Sequence, residues 1–358
     1  MTLNRQINYS YTFMSTRRLQ ALVAAVLLIS PSIVSGQESG TIIVANMSEN
    51  SVSLIDAASR KTVATLPSGP SPHEVAVSES GEWAVITNYG NSDRVGNSLT
   101  LIHVPEAEIE ATFDLSVYER PHGAVFLPGD SVVAITSEAT QKVVFYDVIE
   151  GEIVDTVSTG QRTSHMLAAD NIRSTLFTTN IIDGTLSEID GETRKRERII
   201  PVAAVIEGIA VSPAGDRVWV GSNREKKVFV VDAASGEIEH TFDGFGFPYR
   251  MAISPDGRLA VLTDPMKSEI RIVDAETLKE LKTISISPDG AETEAEFPGS
   301  AAPEGLVITP DSRYAYVSLQ ALSKVAIVDL ESMEIIGTAR TGGWPDGIGY
   351  SPLTALPE

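Results

Sequence analysis

Short apolar runs of five or six residues follow one another along most of the chain and are separated by turn residues. β-branched side chains dominate these runs, and Asn, Asp, Ser, Gly and Pro bound them, which is the pattern of β-strands. The first three strands are predicted over Thr41–Asn46, Ser51–Asp56 and Lys61–Leu66. A fourth run, Ser71–Ser78, is a strand with a polar residue, His73, at its entrance.

This fourth run recurs six more times, each time with a polar side chain at the strand entrance and apolar residues behind it; the fifth of the seven runs spans Pro248–Ile253. The seven entrance residues are His73, His122, His165, Glu207, Tyr249, Glu304 and Asp346. Their spacings are 49, 43, 42, 42, 55 and 42 residues. Four strands in a period of about 40–45 residues are the unit of a β-propeller. The sequence therefore predicts an all-β, seven-bladed β-propeller with four antiparallel strands per blade.

The order of the strands also predicts how the ring closes. The repeats begin with the second, third and outer strands of a blade and end with an inner strand, Gly347–Tyr350. The C-terminal strand is therefore expected to complete the blade that the N-terminal strands begin, which leaves no open end between blades.

The repeats resemble those of YVTN-type β-propellers. The resemblance rests on Ser254–Gly257 leading to Asp264, with the strand Ile270–Asp274 and Thr283–Ile284 behind them, and it covers residues 41–353. It implies a seven-bladed, exported protein, related to lactonase-like enzymes and to the propeller subunits of quinoprotein amine dehydrogenases. The signature tetrapeptide itself is only partly present, for example as Val44–Asn46 in the first blade.

The first 36 residues have the features of a secretory signal peptide, and residues 37–358 are expected to form a single propeller domain. Arg17 and Arg18 precede the apolar run Ala21–Ile29, and small residues at Val34–Gly36 offer a cleavage point. Met14 is an alternative start, because Met14 to Gly36 makes a compact signal by itself. The apolar run is short for a membrane span, so a periplasmic or secreted protein without a membrane span is expected.

Composition narrows the possible partners. The chain carries 27 basic and 48 acidic residues, a net charge of −21, and it has no cysteine. Nucleic acid and anionic membranes would be repelled by such a surface. Disulfides and thiolate metal sites are excluded. A monomer is expected, with a small molecule or a protein as its partner.

Two insertions point to one working face. Strand directions place the entrances of the inner strands and the loops between second and third strands on the same face, here called the top. Five extra residues fall in such a loop, between Asn88 and Leu99, and thirteen fall between Asp274 and Glu304. In rigid scaffolds, functional residues are commonly found on such loops. The top face is therefore predicted to carry the functional site.

The entrance residues on that face suggest two kinds of chemistry. Imidazoles of His73, His122 and His165 on consecutive blades, with Glu207 next, predict a divalent metal site. Alternatively, a histidine paired with Glu304 or Asp346 across the channel would serve general acid–base chemistry.

Two further residues, Glu74 and Arg250, lie one position beyond the entrance ring and are expected to orient an anionic or hydroxylated ligand. Tyr249 is expected to offer a stacking surface or to plug the channel. Trp344 and two phenylalanines lie beside it and would hold a sugar or pack between blades.

The sequence therefore favours an exported binding or interaction module with its ligand at the top-face channel mouth. The alternative is a metal-dependent enzyme or redox-linked metalloprotein, lactonase-like or lyase-like, that uses the His/Glu ring. A third interpretation is that these polar residues only line a water-filled channel and bind nothing.

Overall fold

The fold was established with a computed structural model that describes residues 39–357 except 171, 173 and 292–295. These residues form 28 strands in seven four-stranded antiparallel sheets, which are the blades of the predicted propeller. The expected signal peptide lies outside the described residues and stays a prediction.

Strands are numbered in chain order, and blade 1 combines strands from both ends of the chain. Blade 1 consists of β28 (Pro345–Ser351), β1 (Thr41–Asn46), β2 (Ser51–Asp56) and β3 (Lys61–Pro67). Blade 2 consists of β4 (Pro72–Val77), β5 (Trp83–Gly90), β6 (Val95–His103) and β7 (Glu108–Asp114). Blade 3 consists of β8 (Pro121–Phe126), β9 (Val132–Ser137), β10 (Lys142–Asp147) and β11 (Glu152–Ser158). Blade 4 consists of β12 (Ser164–Asp170), β13 (Thr175–Asn180), β14 (Thr185–Asp190) and β15 (Lys195–Pro201).

The remaining blades follow the same order from inner to outer strand. Blade 5 consists of β16 (Ile206–Val211), β17 (Arg217–Ser222), β18 (Lys227–Asp232) and β19 (Ile238–Phe242). Blade 6 consists of β20 (Met251–Ile253), β21 (Leu259–Asp264), β22 (Glu269–Asp274) and β23 (Lys279–Ser285). Blade 7 consists of β24 (Pro303–Ile308), β25 (Tyr314–Leu319), β26 (Lys324–Asp329) and β27 (Glu334–Arg340). Two short 3₁₀ segments, Met47–Glu49 and Gln320–Leu322, each follow a second strand.

The hydrophobic core is divided among the interfaces between blades. The second and third strands of each blade are buried on both faces, whereas the outer strands alternate between half-buried and exposed residues. At the interface of blades 7 and 1, for example, Ile42 and Val44 pack with Tyr316 and Ile327. Because each blade buries its apolar faces only against its two neighbours, the ring is stable only when it is complete.

The ring closes as predicted. β28, from the C-terminal end, pairs antiparallel with β1, with Ile348 opposite Val44 in the register. The Thr41 hydroxyl also donates to the carbonyl oxygen of Leu353 at 2.8 Å, and the amide of Ala355 donates back to that hydroxyl at 2.8 Å. The two ends of the propeller are therefore held in one sheet.

The inner strands approach one another closely at their entrances. In most blades the ladder between inner and second strand shifts register just after the entrance residue, which turns that side chain toward the axis. A Cβ on Gly347 would lie 2.0 Å from the His73 carbonyl oxygen, and one on Gly305 would lie 2.0 Å from that of Asp346. Only glycine fits this approach between neighbouring strands.

Hydroxyl side chains fix the entrance residues from the neighbouring blade. A Thr or Ser near the end of the second strand donates to the main-chain carbonyl of the next blade's entrance residue. The pairs are Thr136 to His165 at 2.5 Å, Thr179 to Glu207 at 2.8 Å, Thr263 to Glu304 at 3.0 Å and Ser318 to Asp346 at 2.7 Å. The mouth of the channel is thus held in place by bonds between blades.

The inner strand of blade 6, β20, is shorter than predicted. It begins at Met251 rather than Pro248, although the amide of Tyr249 and the carbonyl of Arg250 still bond to Thr263. Blade 5 has Gly221 at the position of the bridging hydroxyl, so no such side-chain bond holds this segment. Tyr249 and Arg250 lie outside the regular strand, and both side chains are buried.

The insertion after Asn88 also differs from the predicted loop. Its first and last residues extend the hairpin of β5 and β6, with Gly90 opposite Val95. The inserted residues consequently lengthen this hairpin, and residues 91–95 are exposed. Within the part of the chain that the structure describes, no helix has the length and apolar character needed to cross a membrane.

Deletion of the residues from Gly342 onward removes β28 and opens the ring. At about 1 kcal/mol for each hydrogen bond lost, the five paired positions with β1 predict a loss on the order of 5 kcal/mol, spread over the whole propeller. Thermal unfolding followed by circular dichroism is the measurement. A truncated protein that melts cooperatively at the temperature of the full-length protein would contradict this account.

Candidate functional site

Side chains fill the channel mouth. Of the seven entrance side chains, His122, His165, Tyr249, Glu304 and Asp346 are each less than 9% exposed. Charged and polar groups are rarely this buried unless they are paired or bind something. The mouth is consequently a compact polar cluster rather than a wide, water-lined pore.

The three histidines of blades 2, 3 and 4 lie side by side. The ring centroids of His73 and His122 are 5.1 Å apart, and those of His122 and His165 are 3.7 Å apart. The nearest carboxylate on the next blade, Glu207, places an oxygen 3.4 Å from Nε2 of His165. The structure therefore brings the predicted histidines and Glu207 together in one row.

A second ring of side chains, which the sequence analysis missed, lies next to the entrance ring. Its members lie at the end of the second strand or directly after it, sixteen residues after the entrance residue of the same blade. Those that contact entrance residues are Tyr89, Glu138, Asn223 and Gln320. The fixed offset is readable in the sequence, but the residue types vary so much that the position carries no obvious chemical pattern.

Glu138 of this second ring completes a possible metal site. One of its oxygens accepts a short hydrogen bond from Nδ1 of His165, and the other accepts one from the Tyr89 hydroxyl at 2.6 Å. Ligand atoms of His122, Glu138 and His165 all lie within 4.8 Å of one another. Two imidazoles and one carboxylate are a donor set that suits zinc and other first-row transition metals.

The three imidazoles have different protonation states. Burial alone would lower the pKa of His165, but the hydrogen bond to Glu138 and the Glu207 carboxylate beside Nε2 raise that pKa to about 9, so this ring is cationic. Burial lowers the pKa of His73 to about 4 and that of His122 well below its usual value. The latter two rings are therefore neutral at physiological pH and keep a lone pair for a ligand.

The neutral His73 ring has a defined tautomer. Its Nδ1 lies 3.0 Å from the carbonyl oxygen of Ser71. Because a carbonyl oxygen only accepts hydrogen bonds, Nδ1 must carry the proton. Nε2 is consequently the unprotonated nitrogen, a preference that metal-binding histidines commonly share. The His73 ring also stacks on the ring of Tyr89, and the two ring centroids are 4.5 Å apart.

Arg250 crosses the channel beneath the histidines. Its guanidinium contacts Glu74, on the far side of the ring, at 2.5 Å, and Glu207 at 3.9 Å. It also lies 4.2 Å from the centre of the Tyr249 ring. Burial would lower the pKa of Arg250, but the carboxylates around it raise that pKa. Arg250 therefore stays charged and bridges Glu74 of blade 2 and Glu207 of blade 5. The expectation that Glu74 and Arg250 orient a ligand stays a prediction.

The opposite wall is made of carboxyl groups. Nε2 of Gln320 donates to Glu304 at 2.9 Å, and the Tyr249 hydroxyl donates to Asp346 at 3.4 Å. Burial raises the pKa of Asp346 to about 6. Burial and the nearby Asp346 raise the pKa of Glu304 well above its usual value. At neutral pH this wall consequently retains a proton.

Several buried polar atoms at the mouth have no hydrogen-bond partner in the protein. They are Nδ1 of His122, Nε2 of His165, Oδ1 of Asn223, Nε of Arg250, Oε1 of Glu304 and Oδ2 of Asp346. Buried polar atoms are nearly always bonded to protein, to water or to a ligand. These atoms therefore mark the positions at which water, an ion or a ligand would be bound.

The second insertion lies against the carboxyl wall. Phe297 packs on Phe247 with centroids 5.2 Å apart, and Phe247 in turn lies 5.9 Å from Tyr249. The amide of Glu296 donates to Oε1 of Gln320 at 3.2 Å. The insertion thus borders the mouth, as the sequence predicted, while its acidic residues 292 and 294 lie outside the described residues.

Comparison with known sequences gives distant relatives. No protein-family model matches this chain. The uncharacterized protein YncE, from Salmonella typhi and Salmonella typhimurium, is 22% identical over 253 residues. The matched region covers 66% of this chain and 66% of YncE, slightly less than two thirds of that relative. Antigen Lp49 of Leptospira interrogans is 22% identical over 141 residues, which are 36% of this chain and 31% of the antigen.

Solved structures share the fold. A functionally unknown protein from Desulfotomaculum acetoxidans superposes with a TM-score of 0.73 at 11% identity, over 89% of this chain and 100% of that protein. Hydrazine synthase from Kuenenia stuttgartiensis superposes with a TM-score of 0.65 at 13% identity, over 77% of this chain and 88% of that one. The fold and the similarity to YncE bear out the resemblance to YVTN-type propellers, and at these identities the structures show the fold alone.

Replacement of Asp346 by Asn is expected to stabilise the protein at neutral pH. The folded-state pKa of about 6 lies above the usual value of 3.8, so the ionised carboxyl destabilises the folded state above pH 6 and not below pH 4. With each pKa unit worth about 1.4 kcal/mol, the gain is roughly 1–3 kcal/mol at pH 8 and shrinks toward pH 4. Urea unfolding at both pH values is the measurement.

Asp232 provides a matched control, because its carboxylate caps a surface turn and hydrogen bonds to Ser235 lower its pKa. Asp232→Asn is expected to leave stability unchanged or to lower it slightly. An Asp346→Asn variant that is less stable at pH 8 than the parent protein would show that the charge is structural.

Proposed function

We propose that this protein is an exported β-propeller binding module whose ligand, at the top-face channel mouth, is a divalent transition-metal ion. The observation that carries the proposal is the placement of His122, Glu138 and His165, whose ligand atoms lie within 4.8 Å of one another. Ligand atoms around one zinc ion lie about 2.0–2.2 Å from the metal. Small rotations of these three side chains would therefore suffice to bind it.

The surrounding side chains support such an ion. Tyr89 holds the second oxygen of Glu138 and so orients its carboxylate, as outer-shell hydrogen bonds do around metal ligands. Glu207 lies beside His165, and His73, with a neutral Nε2, lies beside His122. These two residues are proposed as neighbours that complete the coordination sphere. A metal ion would replace the proton on His165, so binding is expected to strengthen as the pH rises.

The proposal of export rests on the signal-peptide features of the N-terminal sequence. A periplasmic or secreted protein meets metal ions and small molecules directly. The antigen among the relatives is compatible with that location. We propose a monomer whose partner, if it is a protein, docks on the top face.

Metal binding by the purified protein is the test. Isothermal titration with Zn²⁺, Cu²⁺ and Mn²⁺, with elemental analysis after gel filtration, is expected to give one ion per chain for at least one of these metals. His122→Ala and Glu138→Gln are expected to abolish stoichiometric binding, because each removes a ligand. Tyr89→Phe keeps all the ligands and is expected to weaken binding roughly ten- to a hundredfold.

His240 and His103 supply controls, since they pack against Phe242 and Trp83 outside the mouth. Their replacement by Ala is expected to leave the stoichiometry unchanged. Absence of a bound ion in the parent protein, or equal binding by His122→Ala and His240→Ala, would reject the metal site.

A second candidate is a metal-dependent enzyme of the lactonase-like or lyase-like kind. It is favoured by the carboxyl wall, because the pKa of Asp346, about 6, suits a general acid or base near neutrality. The metal-loaded protein would then hydrolyse a simple γ-lactone, with a rate that falls at least a hundredfold in His122→Ala and in Asp346→Asn. No turnover by metal-loaded protein would leave the binding module as the function.

A further inference from the structure

A small pocket opens on the top face at the junction of blades 1 and 2. It has a volume of about 230 Å³, and its walls include Ser48, Asn50, Ser71, His73, Asn91 and Trp344. His73 is one of the lining residues, and its imidazole also stacks on Tyr89. The pocket is therefore adjacent to the proposed metal site and shares His73 with it.

Hydrogen bonds fix the walls of this pocket in place. The amide of Met47 donates to the carbonyl of Trp344 at 3.0 Å, which joins the two segments of blade 1. The amide of Ser71 donates to Oδ1 of Asn50 at 2.8 Å, and the carbonyl of Ser71 accepts from the amide of Tyr89 at 3.2 Å. The pocket thus exists before any ligand arrives, as binding sites for small molecules commonly do.

The lining residues of the pocket include no acidic or basic side chain, although the protein is strongly acidic. Its walls carry amide and hydroxyl groups, one indole and the His73 imidazole. A charged ligand would find no opposite charge among these side chains, and the exposed amide and hydroxyl groups favour a ligand that forms hydrogen bonds with them. An aromatic face beside hydrogen-bonding groups matches a ring that has one apolar C–H face and hydroxyl groups at its edge.

We propose that this pocket binds a neutral, polyhydroxylated ring, such as a single saccharide unit, that stacks on Trp344. Its volume suits one ring rather than an extended chain. Ser48, Asn50 and Asn91 supply hydrogen bonds at the edge of the ring, and His73 closes the end of the pocket. The site goes beyond the proposed metal binding and does not depend on it.

Saturation-transfer NMR of the full protein with glucose, galactose, N-acetylglucosamine and myo-inositol tests this proposal. At least one of these probes, at millimolar concentration, is expected to receive saturation. Trp344→Ala is expected to abolish that transfer, while Trp344→Phe, which retains an aromatic face, keeps a weaker signal. Trp83→Ala removes a half-buried tryptophan at the start of β5, away from the pocket, and is expected to leave the signal unchanged.

Each outcome decides the proposal. Transfer that survives in a folded Trp344→Ala protein, or transfer from none of the four probes to the parent protein, would overturn it. The thermal melting curve of each variant shows whether it is folded. If Trp344→Ala does not fold, the weakened signal expected of Trp344→Phe takes its place as the test. His122→Ala is expected to lose metal but retain saccharide binding, so a failure of the metal site and a failure of this pocket give different results.

Discussion

The pairing of β28 with β1 is the constraint on which the rest of this structure depends. Each blade buries its apolar faces only against its neighbours, so an open array would leave two faces exposed to water. Closure by the last strand buries both of these faces and arranges the seven inner strands around one axis. The entrance residues, which lie from 42 to 55 residues apart in the sequence, consequently meet at a single mouth.

That convergence has an energetic consequence. Ionisable groups that would be solvated on a strand surface are buried together, and burial raises the pKa values of Glu304 and Asp346 while it lowers those of His73 and His122. Pairing offsets only part of this desolvation, through Arg250 with Glu74 and His165 with Glu138. A fold that needed only stability would be better served by apolar residues here. A buried polar cluster with this energetic cost is consistent with the binding site proposed at the channel mouth.

The sequence analysis could predict the fold and the first ring of the site because both depend on periodicity. The return of a polar residue before each inner strand identified His73, His122, His165 and their equivalents without any knowledge of distances. The sequence analysis did not identify Glu138, because the residues at the same offset in other blades include Tyr89 and Gln320. The position therefore repeats from blade to blade, but the type of side chain does not. The sequence also did not show that Tyr249 and Arg250 lie outside their strand. That arrangement depends on how the Arg250 side chain crosses the channel.

Anomalous diffraction from crystals of the full protein soaked in Zn²⁺, measured above and below the zinc absorption edge, tests the central claim most directly. The account predicts one strong peak at the channel mouth, about 2.0–2.2 Å from ligand atoms of His122, Glu138 and His165. Peaks confined to the acidic surface, with only water molecules among these three side chains, would contradict it.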